Sequence, residues 1–319
     1  MLSGIAPAGA VVAQSAASAP EVPAWAFPNT SPPFVAARLP YDSVTLLHVP
    51  NSTQTFTLAR VKNTFAPPDW YPTSHPVMPP IVATGRPRAV WACGYCHLPD
   101  GQGRAENATI AGLPVEYFVR QVADFRTRAR HSAVDTWGPS SRMNDVADSV
   151  TDAEVMEAAR YFARIRVKAR YKVVERAKIP VTMQVGGLYA VSPAGGTEQL
   201  GDRIIEITED VERHELRDAA AKFLAYVPPG SIARGKVLSS SRATSKAMAC
   251  ATCHGPSLRG AGLVPPIAGR SPSYMFRQLV GFKTGARSSA TSGPMQAVVS
   301  GLGTNDMIAA VAYAASLTP

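Results

Sequence analysis

The apolar residues of this chain follow the period of a helix in two stretches that lie far apart. Thr151 and Glu154 form a capping box, which predicts where the first helix starts, and Thr304 is the predicted N-cap of the second. Four apolar positions in each stretch, spaced i, i+3, i+4 and i+7, lie on one helix face. They are Val155, Ala158, Ala159 and Phe162 in the first, and Met307, Ala310, Val311 and Ala314 in the second.

Between these helices, from residue 167, the pattern changes to that of strands. Apolar residues at 167, 169, 171 and 173 alternate with Lys168, Arg170 and Lys172. A period of two predicts a strand, here with one basic face that we expect to be solvated. The glycine pairs at 186–187 and 195–196 predict turns between further short strands. We therefore predict a small β-rich insert over residues 167–228 that spaces the flanking segments.

Residues 21–76 are rich in proline, which blocks helix interiors and central strands. This composition predicts an extended arm with short elements, packed over the segment that follows it. We interpret His48, His75 and Met78 as packing or surface residues rather than metal ligands.

The chain also contains an internal repeat. Shifted by 157 residues, the segment from Cys93 to Arg130 stays in register with the segment from Cys250 to Arg287 without a gap. Beyond it the offset falls to 152, because the first copy contains five additional residues. Such a repeat predicts two similar domains, which the apolar pattern makes helical, over residues 77–166 and 229–319. Matching segments include Ile110-Ala111-Gly112 with Ile267-Ala268-Gly269, Arg120-Gln121 with Arg277-Gln278, and Phe125 with Phe282.

All four cysteines of the chain lie in two C-x-x-C-H motifs, the attachment signature of a c-type haem. Two thiols one helical turn apart add to the two vinyl groups of one porphyrin, and the following His faces the iron. Two covalently bound haems are therefore predicted. The attachment residues are Cys93 and Cys96 with the iron ligand His97, and Cys250 and Cys253 with the iron ligand His254.

Two other interpretations of the cysteines are a zinc site and a redox dithiol. A zinc site needs both cysteine pairs to converge on one metal and leaves two adjacent histidines without a role. A thioredoxin-like dithiol does not require the trailing His. Both are weaker than the haem interpretation.

A six-coordinate haem needs a second axial ligand, and Met143 and Met295 are the candidates. They coincide in the repeat and precede the final helix of each copy, and Met295 follows Gly293-Pro294 in what we expect to be a loop. Met275 and Met307 fall on apolar helix faces and are interpreted as core. His131 remains an alternative to Met143, although it has no equivalent in the second copy.

The formal charge of +9 falls to about +5 if two haems add four ionised propionates. That charge favours acidic protein surfaces, and no basic patch with interleaved aromatics predicts nucleic-acid binding. Haem is attached to C-x-x-C-H outside the bacterial cytoplasm, so we expect a periplasmic protein. Residues 1–20 resemble a signal segment, although they lack the usual positive charge.

With these residues in hand, the chain resembles the dihaem class-one cytochromes c of the c-four type. The resemblance covers about 77–165 and 229–319, and implies two similar monohaem domains. It also implies that the carbonyl of Pro265 faces the proximal His of the second copy. The first copy has Ala108 at the equivalent position. The resembled family usually has glycine at the position that Arg128 occupies here. Matching residues in the second copy run from Cys250 to His254, from Pro265 to Gly269 and from Phe282 to Arg287, together with Tyr274, Met295 and Tyr313.

Together these features predict a mainly α protein: a Pro-rich arm, two cytochrome c-like haem domains and a small β-rich insert. Haems closed by His and Met would carry single electrons without binding a substrate. A dehydrogenase or quinol-oxidising complex would be the donor, and an oxidase or reductase the acceptor, with peripheral association with a membrane complex. The alternatives are a haem subunit of a dehydrogenase complex and a dihaem peroxidase, which would need an open haem.

Overall fold

The computed structural model describes residues 22–28, 39, 41–185, 187–240 and 249–319. The signal-like segment predicted over residues 1–20 lies outside the described residues, as does Gly186 of the first predicted turn. The described part of the Pro-rich arm contains a short 3-10 helix, Ala24–Ala26, and helix α1, Leu58–Val61. The arm contacts the segment that follows it, because the Ala92 N–H donates to the Thr64 carbonyl over 3.0 Å.

The first helical domain consists of five helices around one buried cluster. Phe118, Phe125 and Phe162 are central to that cluster, and the capping box of Thr151 and Glu154 is present at the start of the last helix. The helices are α2 (Pro80–Ala83), α3 (Cys93–His97), α4 (Val115–Arg126), α5 (Gly138–Ser149) and α6 (Asp152–Ala163).

The insert forms a five-stranded mixed sheet in the order β1-β7-β6-β4-β3 and a separate two-stranded pair of β2 and β5. Strands β1 and β7 are parallel and β6 and β7 antiparallel, and β7 alternates buried with half-buried residues. The elements are β1 (Tyr171–Glu175), β2 (Lys178–Pro180), β3 (Thr182–Val185), β4 (Leu188–Val191), β5 (Thr197–Gln199), β6 (Ile205–Thr208), α7 (Val211–Glu215) and β7 (Phe223–Val227).

The second helical domain repeats the first. Its buried cluster includes Met275, Phe276 and Met307, so both methionines interpreted as core lie in the core. The helices are α8 (Ser231–Ser239), α9 (Cys250–His254), α10 (Pro272–Thr284), α11 (Gly293–Ser300) and α12 (Thr304–Ser316). The coarse prediction of helical domains with a small sheet is therefore confirmed.

The two helical domains share backbone conformation as well as sequence. Gly112 and Gly269 have φ values of 67° and 66°. Their N–H groups donate over 2.9 Å to the carbonyls of Phe162 and Ala314 in the final helices. Positive φ also recurs at the 157-residue offset in four further pairs: Leu98 and Gly255, Gly101 and Leu258, Gly103 and Gly260, and Arg128 and Gly285.

The basic face predicted for the first strand is solvated only in part. Lys172 is exposed, but Arg170 is 4% exposed and donates to the carbonyls of Gly103 and Ala221. Lys168 forms a 2.7 Å ion pair with the buried Asp100 of the first helical domain. The prediction was wrong because these two side chains bind the neighbouring domain, a contact that periodicity along one strand does not reveal.

The insert also does not space the two helical domains, which contact each other directly. Arg130 and Arg287 form an isolated antiparallel bridge. The His131 N–H donates to the Ala286 carbonyl over 2.9 Å, and the Ser288 N–H donates to the Ala129 carbonyl over 2.8 Å. Since 129 and 286, and 131 and 288, are equivalent positions of the repeat, the bridge lies on an approximate two-fold axis.

We expect Gly235→Ala to destabilise the second helical domain by about 2 kcal/mol. A Cβ at this buried position of α8 would collide with the Ala309 carbonyl of α12, which is backbone and cannot rotate away. Thermal unfolding of the haem-loaded protein checks this. Gly138→Ala, where the structure places nothing within 4 Å of an added Cβ, is the matched control, and equal melting temperatures for the two variants would contradict the prediction.

Candidate haem sites

Each C-x-x-C-H motif forms a helix of five residues, so its two thiols and its imidazole lie within little more than one turn. In α3 the Cys residues are the first and fourth positions and His97 is the last. The chain leaves the helix through positive φ, at Leu98 in the first copy and Gly255 in the second. All four thiols are free of disulfides.

Both histidines are held by the same backbone contact. Nδ1 of His97 lies 2.8 Å from the Ala108 carbonyl, and Nδ1 of His254 lies 2.8 Å from the Pro265 carbonyl. A carbonyl only accepts, so Nδ1 carries the proton and Nε2 is left with its lone pair, the tautomer that binds a metal. The first copy therefore makes this contact without a proline.

Burial also keeps these groups in the uncharged form. It is the largest cause that lowers the pKa of His97 and of His254. Burial likewise raises the pKa of Cys93 to about 12. An imidazole must be neutral to ligate iron, so the environment suits the role predicted for the two histidines.

The loop that carries each carbonyl is tied to the turn after the attachment helix. The Ile110 N–H donates to the Gly101 carbonyl over 2.8 Å, and the Ile267 N–H donates to the Leu258 carbonyl over 2.9 Å. These bonds explain why the Ile-Ala-Gly segment recurs in the repeat. They fix the carbonyl that orients the imidazole.

The two candidate methionines lie on helices. Met143 is half-buried on α5 and packs against the cluster that also contains Cys93 and Phe118. Met295 is half-buried in the first turn of α11, where a loop was expected. That expectation was wrong because Pro294 occupies the first turn of the helix, where its fixed φ and missing N–H favour initiation.

His131, the alternative ligand, lies at the bridge between the helical domains. Its side chain is exposed, and its Nδ1 lies 2.8 Å from the Ser132 carbonyl.

A buried polar network joins the two helical domains beside the bridge. Arg130 donates to Gln121 Oε1 over 2.8 Å, to the Tyr274 hydroxyl over 2.9 Å and to Gln278 Oε1 over 2.8 Å. Arg287 donates to the same Gln121 Oε1 over 2.6 Å. The pair of arginines thus binds both copies at once.

Tyr117 and Tyr274 belong to this interface. Burial raises the pKa of Tyr117, but Arg287 and Arg130 oppose this and leave the pKa below its usual value. Each arginine also covers an aromatic ring of its own domain, Arg130 at 4.6 Å from the Phe125 centroid and Arg287 at 4.0 Å from that of Phe282. The internal repeat could have indicated this interface, because its tyrosine, arginine and phenylalanine positions all match at the 157-residue offset.

The donor set of each site fits a covalently bound haem. Two free thiols and one imidazole with an available Nε2 share a single helical turn, and a methionine is half-buried on a later helix of the same domain. Cys93 and Cys250 contact different hydrophobic clusters, so the cysteine pairs do not converge on one metal. A haem bound at each site would supply one-electron chemistry at its iron.

Known proteins resemble this chain over one domain or over most of its length. Cytochrome c-554(547) of Halothiobacillus neapolitanus is 36% identical over 76 residues, which are 21% of this chain and 84% of that protein. The chain belongs to the class-one cytochromes c. It is a dihaem electron-transfer member of that class, as its two attachment sites and its longer relatives show.

Two longer relatives each match more than two thirds of this cytochrome. Thiosulfate dehydrogenase electron acceptor of Thiomonas intermedia is 25% identical over 230 residues, 71% of this chain and 75% of that protein. Cytochrome c4 of Azotobacter vinelandii is 23% identical over 236 residues, 72% of this chain and 86% of that protein. The resemblance seen in the sequence is confirmed.

Other similarities are partial. The cytochrome subunit of sulfide dehydrogenase of Chlorobaculum tepidum is 36% identical over 67 residues, and this cytochrome spans 54% of its length. The solved structure of reduced cytochrome c4 of Pseudomonas stutzeri has a TM-score of 0.47 at 20% identity, with 71% of this chain and 93% of that chain covered. No protein-family model matches the chain.

Sequence reasoning missed the residues that surround the first attachment helix. Arg217, from the loop after α7, donates to the Tyr95 carbonyl over 2.7 Å, and His214 accepts from Arg104 at 2.7 Å. Both Arg217 and His214 belong to the insert. Their distance from the motif along the chain left no periodic or spacing signal.

Replacing Arg130 with Met should lower the free energy of unfolding by about 3 kcal/mol, because three hydrogen bonds from a buried cation are lost. We also expect the two haem domains to unfold in separate transitions. Differential scanning calorimetry of the haem-loaded protein tests both points. Arg160→Met, at an exposed position of α6, is the control, and a single unshifted transition in Arg130→Met would contradict the proposed role of the network.

Proposed function

We propose that this cytochrome is a periplasmic carrier of single electrons whose two haems are closed by His97 and Met143 and by His254 and Met295. The observation that supports this most is the repeated histidine contact. Both imidazoles are neutral, oriented by a backbone carbonyl, and followed by a half-buried methionine on the penultimate helix.

The residues of this chain would each have a limited role in the transfer. Cys93, Cys96, Cys250 and Cys253 attach the haems, and the carbonyls of Ala108 and Pro265 hold the imidazoles in position. The thioethers of Met143 and Met295 would occupy the sixth positions and keep water and substrates away from the iron. A thioether also favours the ferrous state, so such a centre accepts one electron and passes it on with little rearrangement.

A location outside the cytoplasm is supported by the chemistry of attachment, since haem is joined to C-x-x-C-H motifs there. Among the described helices, none is long and apolar enough to cross a membrane. The net charge favours docking to acidic surfaces of redox proteins.

The names of the relatives support a donor that oxidises a sulfur compound. One relative is the electron acceptor of a thiosulfate dehydrogenase and another is the cytochrome subunit of a sulfide dehydrogenase. A dehydrogenase of this kind fits the donor better than a quinol-oxidising complex, and an oxidase or reductase would be the acceptor.

The second candidate is a haem subunit that stays bound to such a dehydrogenase. The subunit name of one relative favours it, as do the arm and insert, which lie outside the cytochrome c domains. The two candidates predict different behaviour with the purified dehydrogenase. A carrier is reduced at a rate proportional to its own concentration. A subunit instead elutes with the dehydrogenase as one stoichiometric complex.

The peroxidase alternative is the least supported. It requires an open haem, and His131 on the first haem was the feature that would have favoured it. The exposed side chain of His131 and its contact with the Ser132 carbonyl favour Met143 as the ligand.

The ligand assignment is tested by the optical spectrum of the ferric protein. We expect two haems per chain and the far-red band of iron–methionine ligation. Met143→Ala and Met295→Ala should each remove about half of this band and allow one haem to bind carbon monoxide after reduction, because each opens one sixth position.

His131→Ala is the matched control for Met143→Ala and should leave the band intact. A band that survives Met143→Ala but is halved by His131→Ala would show His131 to be the ligand. Carbon monoxide binding or peroxide reactivity in the unmodified protein would favour the enzyme alternative.

A further inference from the structure

The two attachment helices have different surroundings, although the helices themselves are alike. Cys96 and Tyr95 of the first copy are half-buried, whereas Cys253 and Thr252, their equivalents in the second, are exposed. The difference arises from the insert, because the loop after α7 lies against α3.

Arg217 makes the closest of these contacts. Its guanidinium lies 3.6 Å from the centroid of the Tyr95 ring, and its Nη1 donates to the Tyr95 carbonyl over 2.7 Å. The residue is 9% exposed. Arg217 therefore places a charge against the residue between the two cysteines of the first motif, in a position that water screens weakly.

The neighbours of Arg217 do not cancel this charge. Arg104 forms a 2.9 Å ion pair with Glu106, which also attracts Arg217, so one carboxylate faces two guanidinium groups and one positive charge is left over. His214 accepts a hydrogen bond from Arg104, and burial followed by Arg104 lowers its pKa to about 3, so it is neutral. Among the described residues, no carboxylate lies within ion-pair distance of Arg217, and its buried Nε has no partner. A guanidinium has so high a pKa that Arg217 stays charged even though burial lowers that pKa.

The backbone of Arg217 is a second, independent sign that this side chain is required. Arg217 has φ of 56°, the left-handed region. It follows α7 in a helix-ending turn in which the Asp218 N–H donates to the Arg213 carbonyl over 3.0 Å. Where a helix ends in this left-handed conformation the residue is usually glycine, because a side chain is strained there. A strained arginine that points at a cofactor-attachment helix indicates a functional constraint.

We propose that Arg217 raises the reduction potential of the first haem above that of the second, so that the singly reduced protein holds its electron at the first site. The ferric centre carries one more positive charge than the ferrous centre. A fixed cation nearby therefore disfavours the ferric form, and exclusion of water acts in the same direction. In the described surroundings of Cys253 and His254, no arginine of the insert supplies such a charge, and Cys253 is exposed.

This inference rests on the proposed electron-carrier function, and it adds a direction to it. A single electron delivered to the protein settles at Cys93–His97, the site enclosed by the insert. The site at Cys250–His254, with its exposed cysteine, holds an electron only after the first is filled. No proton or bond change accompanies the transfer.

The test is an optical redox titration of the full haem-loaded chain, in which the two haems titrate as separate one-electron waves. We expect Arg217→Met to lower the equilibrium constant for reduction of the higher-potential haem about tenfold. This moves the midpoint of that wave down by about 59 mV and leaves the midpoint of the lower-potential wave unchanged. Arg217→Lys keeps the charge and should retain the higher wave. Arg176→Met is the matched control, because this arginine of the insert is exposed and its guanidinium donates to the Glu175 carbonyl, outside the first haem domain.

Three results would overturn the proposal: two unmoved waves in Arg217→Met, movement of the lower wave instead, or an equal loss in Arg217→Lys. If Arg217→Met loads haem poorly, Met295→Ala shows which wave belongs to which haem. This variant removes the proposed ligand of the second haem only, so the proposal requires that it shifts the lower-potential wave. Absence of the far-red iron–methionine band would instead contradict the proposed function, so the two failures are distinguishable.

Discussion

One hydrogen bond in each haem domain determines what the rest of that domain must do. Nδ1 of the histidine donates to a backbone carbonyl 11 residues further along the chain. That bond sets the tautomer and leaves the lone pair of Nε2 available to a metal. The turns with positive φ after the attachment helix bring the loop back, and the Ile-Ala-Gly segment ties it to that turn and to the final helix. The resemblance between the copies is the consequence of this one requirement.

The pairing of the domains depends on buried arginines rather than on an apolar interface alone. Arg130 and Arg287 bind the glutamines of both copies, and Arg270 of the second domain donates to the carbonyls of Thr109 and Ala111, the residues just after Ala108. Buried guanidinium groups have well-defined hydrogen-bond directions, so they fix one relative orientation of the domains. The two attachment sites are therefore held in one relative position by these hydrogen bonds.

The features that depend on local pattern could be predicted from the sequence. The motifs, the repeat, the capping box at Thr151 and the core methionines are local or periodic, and the structure contains them all. Contacts between distant residues could not be predicted. Arg170 looked solvated because only its own strand was considered, and the insert looked like a spacer because nothing in the chain indicated that Arg130 and Arg287 bridge the two helical domains.

The same reason explains two smaller differences. Ala108 makes the histidine contact as well as Pro265 does, because the hydrogen bonds of the loop, rather than a proline ring, hold the carbonyl. Arg128, where the resembled family usually has glycine, accepts φ of 61° while its guanidinium binds Asp148 over 2.6 Å. A local preference is overridden wherever tertiary contacts compensate for it.

We propose that both sites hold a haem closed by histidine and methionine. Low-temperature electron paramagnetic resonance of the fully oxidised protein, integrated against its iron content, tests this most directly. We expect all of the iron to be low-spin, in two signals of equal intensity with the anisotropy of histidine–methionine ligation. A high-spin signal from either iron, or a signal of bis-histidine type, would contradict it.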